Sequence, residues 1–150
     1  KSFLVPLAGN ALQRQPPLNW LGNISLIKGG AHEGCIDLKM QGIVPITDMA
    51  RFYALAAGSE AVNTRDRLQI AADSGAITPQ QVHNLLDALE LLSTLRLRHQ
   101  AQRMQDGLEA DNYLRPATLS KLERDHLQDA LGVVKSVQSS LARLYPVNQL

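Results

Sequence analysis

From Thr78-Pro79-Gln80-Gln81 to Gly107 nothing interrupts a helical period, and this stretch constrains the fold more than any other. Thr78 followed three residues later by Gln81 is a capping box, with proline at the first helical position, where its missing N–H costs nothing. The spacing predicts a helix from Pro79 to about Asp106. Ser120-Lys121-Leu122-Glu123 is a second capping box, and Ala130, Val134, Val137, Leu141 and Leu144 recur on one face of the helix it opens, which should end before Pro146. Two long amphipathic helices joined by a short loop must bury their stripes against each other or against further helices, so the leucines at 85, 89 and 92 are expected to face the second stripe.

Shorter helices fit around this pair. Pro45 suits a first turn for Ile46, Met49, Ala50, Tyr53 and Ala57, with Gly58 as the stop, and Asn63 caps a short helix through Leu68, Ala71 and Ala72 that Gly75 closes. A helix is also predicted from Ser2 to Arg14, before Pro16-Pro17. Trp20 to Ile27 and Cys35 to Gln41 alternate apolar with polar residues about a Gly29-Gly30 turn, so they read as a hairpin, with Asp37, Lys39 and Gln41 on its polar face. The expected fold is mainly α: a helical bundle with a small β-hairpin near the N-terminus, in one domain spanning residues 1–150.

Of the 150 residues 45% are hydrophobic, enough for a sizeable core. Fifteen basic residues oppose fourteen acidic ones, for a net charge of +1 without any block of one sign, so nucleic acid and anionic membrane are not expected partners. With 4% aromatic residues no stacking platform for single-stranded nucleic acid can be assembled. The lone Cys35 cannot form an internal disulfide, and no apolar run is long enough to span a bilayer, so a cytoplasmic protein is expected. The chain begins at Lys1 with neither an initiator methionine nor a secretory pattern, which reads as a segment of a longer protein.

Ordinary catalytic signatures are missing. No GxxxxGK[ST] or GxGxxG loop offers a phosphate cradle, and no GxSxG presents a nucleophile. Gly58-Ser59 with Asp66 lacks the second aspartate of a two-metal centre, and Glu123 and Asp125, two apart on a helix, point away from each other. His32 and Cys35 could supply only two zinc ligands where three or four are needed, and His83, His99 and His126 have no paired spacing. Neither a catalytic residue nor a metal ligand is therefore assigned.

One pattern is informative. At about 100° per residue, Leu85, Leu89, Leu92, Arg96, His99 and Arg103 fall within roughly ±40° of one line, so the core stripe of the longest helix turns basic halfway along. Unpaired charge against a core is costly, so these three residues need acidic, phosphate or backbone partners. Asp37, Asp48, Asp111 and Glu123 are the candidate acids. Two readings follow: an internal ion-pair network, or an anion pocket at one end of the bundle. Asp48 and Arg51, three apart, read as a surface pair, Asn63-Thr64 as a cap and Asp111-Asn112-Tyr113 as a turn.

Taken in order, Ile36-Asp37-Leu38-Lys39, Gly42, Pro45, Asp48 with Ala50-Arg51, Ala54-Leu55, Asn63-Thr64 with Arg67-Leu68, Leu95 to Gln100, Asp111-Asn112-Tyr113 and Leu122-Glu123-Arg124 form a specific series. It resembles the putative nucleotidyltransferase substrate-binding domain at the C-terminus of multidomain bacterial signalling proteins, over Pro16 to about Tyr145. Ala110 departs from the proline usual in that family. The resemblance implies a preceding catalytic domain similar to PII-uridylyltransferase, commonly behind a cyclic-nucleotide-binding domain and paired CBS domains. That neighbour would carry the Gly-Ser and paired carboxylates and use a nucleoside triphosphate with Mg, leaving this segment inactive by itself. By the same analogy Lys39, Arg51, Arg96, His99 and Arg103 become substrate-binding candidates for phosphate or acceptor, with Asp37, Asp111 and Asn112 as orienting partners. A protein acceptor and a homodimer are further expectations. The alternative is a regulatory or dimerising helical module in which the basic patch is structural.

Overall fold

The computed structural model describes residues 3–145. Its helices are α1 (Leu4–Leu12), α2 (Val44–Ala56), α3 (Thr64–Asp73), α4 (Pro79–Gln105) and α5 (Lys121–Leu144), with two short strands, β1 (Ile36–Asp37) and β2 (Tyr113–Leu114). The fold is mainly α, as the periodicity predicts. Of the expected boundaries, Ser2 and Pro146 lie outside the described residues.

Both capping boxes form. Thr78 accepts from the Gln81 amide while Gln81 accepts from the Thr78 amide, and Ser120 and Glu123 repeat the exchange at α5. Asn63 caps α3 by accepting from the Asp66 amide, and its side-chain amide donates to the Asp66 carboxylate. α4 stops where Gly107 takes φ +73°, a left-handed conformation that lets the Leu108 amide reach back to the Arg103 carbonyl.

α4 and α5 run antiparallel and pack along their length, α2 packs on α3 and α1, and α1 also touches α5. Leu85, Leu92, Val134, Val137 and Leu141 are buried in one core with Ile46, Met49 and Leu68, and the half-buried Leu89 packs against it. Leu144 departs from its stripe: at 62% exposed, it lies on the last turn of α5. Gln138, buried in the same helix, donates to the Arg14 carbonyl (2.8 Å) and so ties α5 to the segment after α1.

The strands depart from the expected pairing. The Gly29-Gly30 turn is made, with both glycines at positive φ and Ile27 exchanging two backbone hydrogen bonds with Gly34 and Cys35. Residues 20–27 nevertheless form no strand, because Asn19 accepts from the Leu21 and Asn23 amides and curls the chain into a turn. Leu18 and Ile24 make an isolated bridge. β1 instead pairs antiparallel with β2, Ile36 opposite Leu114 and Asp37 opposite Tyr113. It ends after two residues because the Asp37 carboxylate accepts from the Lys39 and Met40 amides and starts a turn of π-helix, Lys39–Ile43, that leads into α2. Lys39 and Gln41 are therefore helical rather than on a strand face, and Gln41 reaches back to accept from the Asp37 amide (2.8 Å). Gly42 in this turn is buried against Leu92, where a Cβ would come within 3.2 Å.

Two substitutions test the packing. Val134→Asp places an unpaired charge in the core and should cost about 3–5 kcal/mol in denaturant unfolding. Tyr53 is 3% exposed, its hydroxyl has no partner among the described residues, and burial, with a smaller contribution from Tyr145, pushes its pKa up to about 12. Tyr53→Phe removes that unsatisfied group and should leave stability unchanged or raise it by about 1 kcal/mol. A loss above that size would mean the hydroxyl is bonded.

Candidate functional site

The basic stripe of α4 emerges where α4 runs past the start of α5, and the loop after Gly107 folds back onto it. Asp111, on that loop, is the acid the stripe requires. Nε2 of His99 donates to its Oδ1 (2.6 Å), Nε of Arg103 lies 3.2 Å from its Oδ2, and the Tyr113 amide donates to Oδ1 (3.1 Å). Arg103 also donates to the Glu109 carbonyl (2.6 Å). The side chains of His99, Asp111 and Arg103 are 17%, 23% and 30% exposed, so the network is neither sealed nor fully solvated. Burial alone would raise the Asp111 carboxyl, but the hydrogen bonds from His99 and Tyr113 and the charges of Arg103 and His99 outweigh it and hold the group below its ordinary value.

Arg96 is placed differently. Its Nε donates to the side-chain oxygen of Asn112 (2.6 Å), a neutral acceptor that also receives Gln100 (3.2 Å), and no carboxylate among the described residues pairs with it. The half-buried cluster thus sets the guanidiniums of Arg96 and Arg103 against the single carboxylate of Asp111.

The other sequence candidates divide. The Asn112 carbonyl accepts from the Leu38 amide (2.9 Å), which brings the segment with Asp37 and exposed Lys39 beside the cluster. Asp37 makes no ion pair there: its carboxylate caps the π-helical turn. Arg51 does not join them. It lies twelve residues beyond Lys39 along a continuous helical path, about 18 Å of rise, and lines a cavity of about 280 Å³ between α1 and α2 with Asp48, Asn10 and Arg14. No ion pair joins Asp48 to Arg51 among the described residues. Glu123 takes Arg98, a cation off the stripe, and that bond with the Ser120 amide lowers the Glu123 pKa.

Three residues of this end were not among the site candidates read from sequence. Gln100 follows Arg96 at i+4, a spacing that places both on one face. Tyr113 stacks on His32 with ring centroids 3.5 Å apart, and Arg115 lies over Gly34. These partners are far apart in the chain and carry no local signal. His32 is thereby turned toward Tyr113, while Cys35 is buried with its thiol toward the Glu33 carbonyl, so the pair does not converge on a metal. No group of three or more His, Cys, Asp or Glu side chains among the described residues is placed to hold a metal ion. Magnesium does not fit the basic cluster, whose one carboxylate is already shared by two cationic partners. No helix among the described residues is long and apolar enough to cross a membrane.

Residues 1–145 match the family model described as a putative nucleotidyltransferase substrate binding domain. Neither the curated proteins nor the solved structures give a match to the chain.

Asp111→Asn keeps the shape of the loop and removes its charge, so it should cost about 1–2 kcal/mol at pH 7 by urea unfolding. Because the folded carboxyl is held low, its contribution is full above the ordinary carboxylate pKa of about 3.9 and disappears as pH falls through the depressed folded value. The gap between wild type and variant should therefore close in acid. A gap that is absent at pH 7, or that persists to pH 2, would show that the charge does not hold the loop.

Proposed function

The chain belongs to the family of putative nucleotidyltransferase substrate-binding domains, and from that premise we propose that its basic end receives the phosphate of a nucleotide or an acidic acceptor group for a nucleotidyl-transfer reaction. One observation carries the reading: Arg96 is held by a neutral amide rather than a carboxylate, so its charge remains available while Arg103 and His99 are committed to Asp111. Arginine suits this role because its planar donors grip phosphate in two places and stay charged at any working pH. Asn112 and Gln100 fix the Arg96 side chain, Asp111 shapes the loop that presents Asn112, and Lys39 at the rim adds a mobile second cation. Arg51, set apart, would meet a different part of the substrate.

In this proposal the chain binds and orients while a catalytic domain earlier in a longer protein, similar to PII-uridylyltransferase, carries the metal carboxylates and uses a nucleoside triphosphate with Mg. Cyclic-nucleotide-binding and CBS domains would complete a bacterial, cytoplasmic signal-transduction protein whose acceptor is a protein. Support for that context comes from the ordered motif series and from the absence of Asp-x-Asp in this sequence. A second reading has its own observation: the double engagement of Asp111 is what a structural ion-pair network requires, and it would suit a regulatory or dimerising module.

Arg96→Gln separates the two. Titrated with a nucleoside triphosphate or inorganic pyrophosphate at low salt, the variant should bind about tenfold more weakly than wild type, with its melting temperature within about 2 °C. Unchanged binding with a marked loss of stability would leave the structural network standing and the anion site refuted.

A further inference from the structure

On a different face of the molecule, α4 and α5 enclose an open groove that the basic end does not use. Its wider part, about 460 Å³, has a floor of Ala88, Leu91, Ala130 and Val133. It shares Asn84 and Val133 with a second part of about 260 Å³ that passes Gly132 and ends at Gln81 and Ser136. The groove therefore follows α4 from Leu91 back to Gln81, about 15 Å of helix rise, and is lined by residues of α4 and α5 alone. Alanine and glycine along such a floor allow a third helix to approach at the short end of the usual 8–10 Å interaxial range.

The charged residues lining the wider part are acidic, Asp87 of α4 and Asp129 of α5, and no lysine or arginine lines either part. Asp87 meets His83, whereas Asp129 has no ion pair among the described residues. An apolar floor of Ala88, Leu91, Ala130 and Val133 flanked by Asp87 and Asp129, in a groove about three helical turns long, is complementary to an amphipathic helix whose apolar stripe is flanked by basic residues. We propose that this groove docks such a helix, supplied by a protein partner. A second copy of the chain is a poorer occupant, because two arginines of its own apolar-striped segment, Arg98 and Arg103, are already paired with Glu123 and Asp111.

The test uses two designed helical peptides of about fourteen residues that share a Leu/Ala stripe, one flanked by lysine and the other by glutamate. In amide NMR spectra of the chain, the lysine peptide should shift Leu91, Ala130 and Val133 and bind at least about tenfold more tightly than the glutamate peptide, with affinity falling as salt rises. Asp87→Lys with Asp129→Lys, both on exposed positions, should abolish that preference without changing the melting temperature, while Arg96→Gln should leave it intact. Equal binding of the two peptides, no binding, or shifts confined to other faces would overturn the proposal. So would sedimentation showing a wild-type dimer that the double substitution dissolves, since a second copy would then cover the groove. The Arg96 arm keeps this outcome separate from the phosphate reading.

Discussion

The Asp111 carboxylate is the point on which the basic end of the bundle depends. A loop leaving a helix C-terminus through a left-handed glycine has no reason of its own to fold back along that helix. Here one carboxylate accepts from His99 and the Tyr113 amide and forms an ion pair with Arg103, and this turns the loop onto the basic face of α4. Once it is turned, the Asn112 carbonyl meets the Leu38 amide, β2 falls into register with β1, and the Asn112 side chain reaches Arg96. The exchange also accounts for how a core stripe can continue into charge: the positive groups of α4 bring the anion they need from the next segment of chain instead of leaving the bundle.

What the sequence made legible was local. The capping boxes at Thr78 and Ser120, the Asn63 cap and the Gly107 stop all depend on residues within a few positions of one another, and each formed as read. The change from leucine to arginine along α4 was legible for the same reason, since helical spacing is a local property. The partner of β1 was not. The alternation in residues 20–27 is a weak signal that a single asparagine overrode, and the true partner lies beyond α2, α3 and α4 in the chain, where only the folded bundle brings it back. Likewise Asp111 was one of four plausible acids, and nothing short of the loop path could choose it over Glu123. Arg51 fell away from the other candidates because the path from Lys39 through α2 is one continuous run of helix, which carries it far from the end where Lys39 stands.

α4 also divides its charge along its length. Its middle carries only acidic charge and its last ten residues, Arg96 to Gln105, only basic charge, so one helix presents opposite potentials at separate places. The basic half lies at the C-terminal end, where the helix dipole favours cations, so the dipole supports this polarity rather than opposing it. Reversing the order would set like charge against the dipole and leave Asp111 facing acids.

If the basic end receives an anion as proposed, the arrangement also separates binding from stability. A site whose every cation was matched to an acid would have to break an ion pair before accepting an anion, and each partly buried pair broken would cost more than a surface contact returns. In the proposed reading Arg96 would avoid this cost, because its acceptor is an amide that is itself shared with Gln100 and a phosphate would displace no carboxylate from it. The paired residues His99, Arg103 and Asp111 hold the frame, and Arg96, whose partner is neutral, is the group within it on which the proposed anion binding rests.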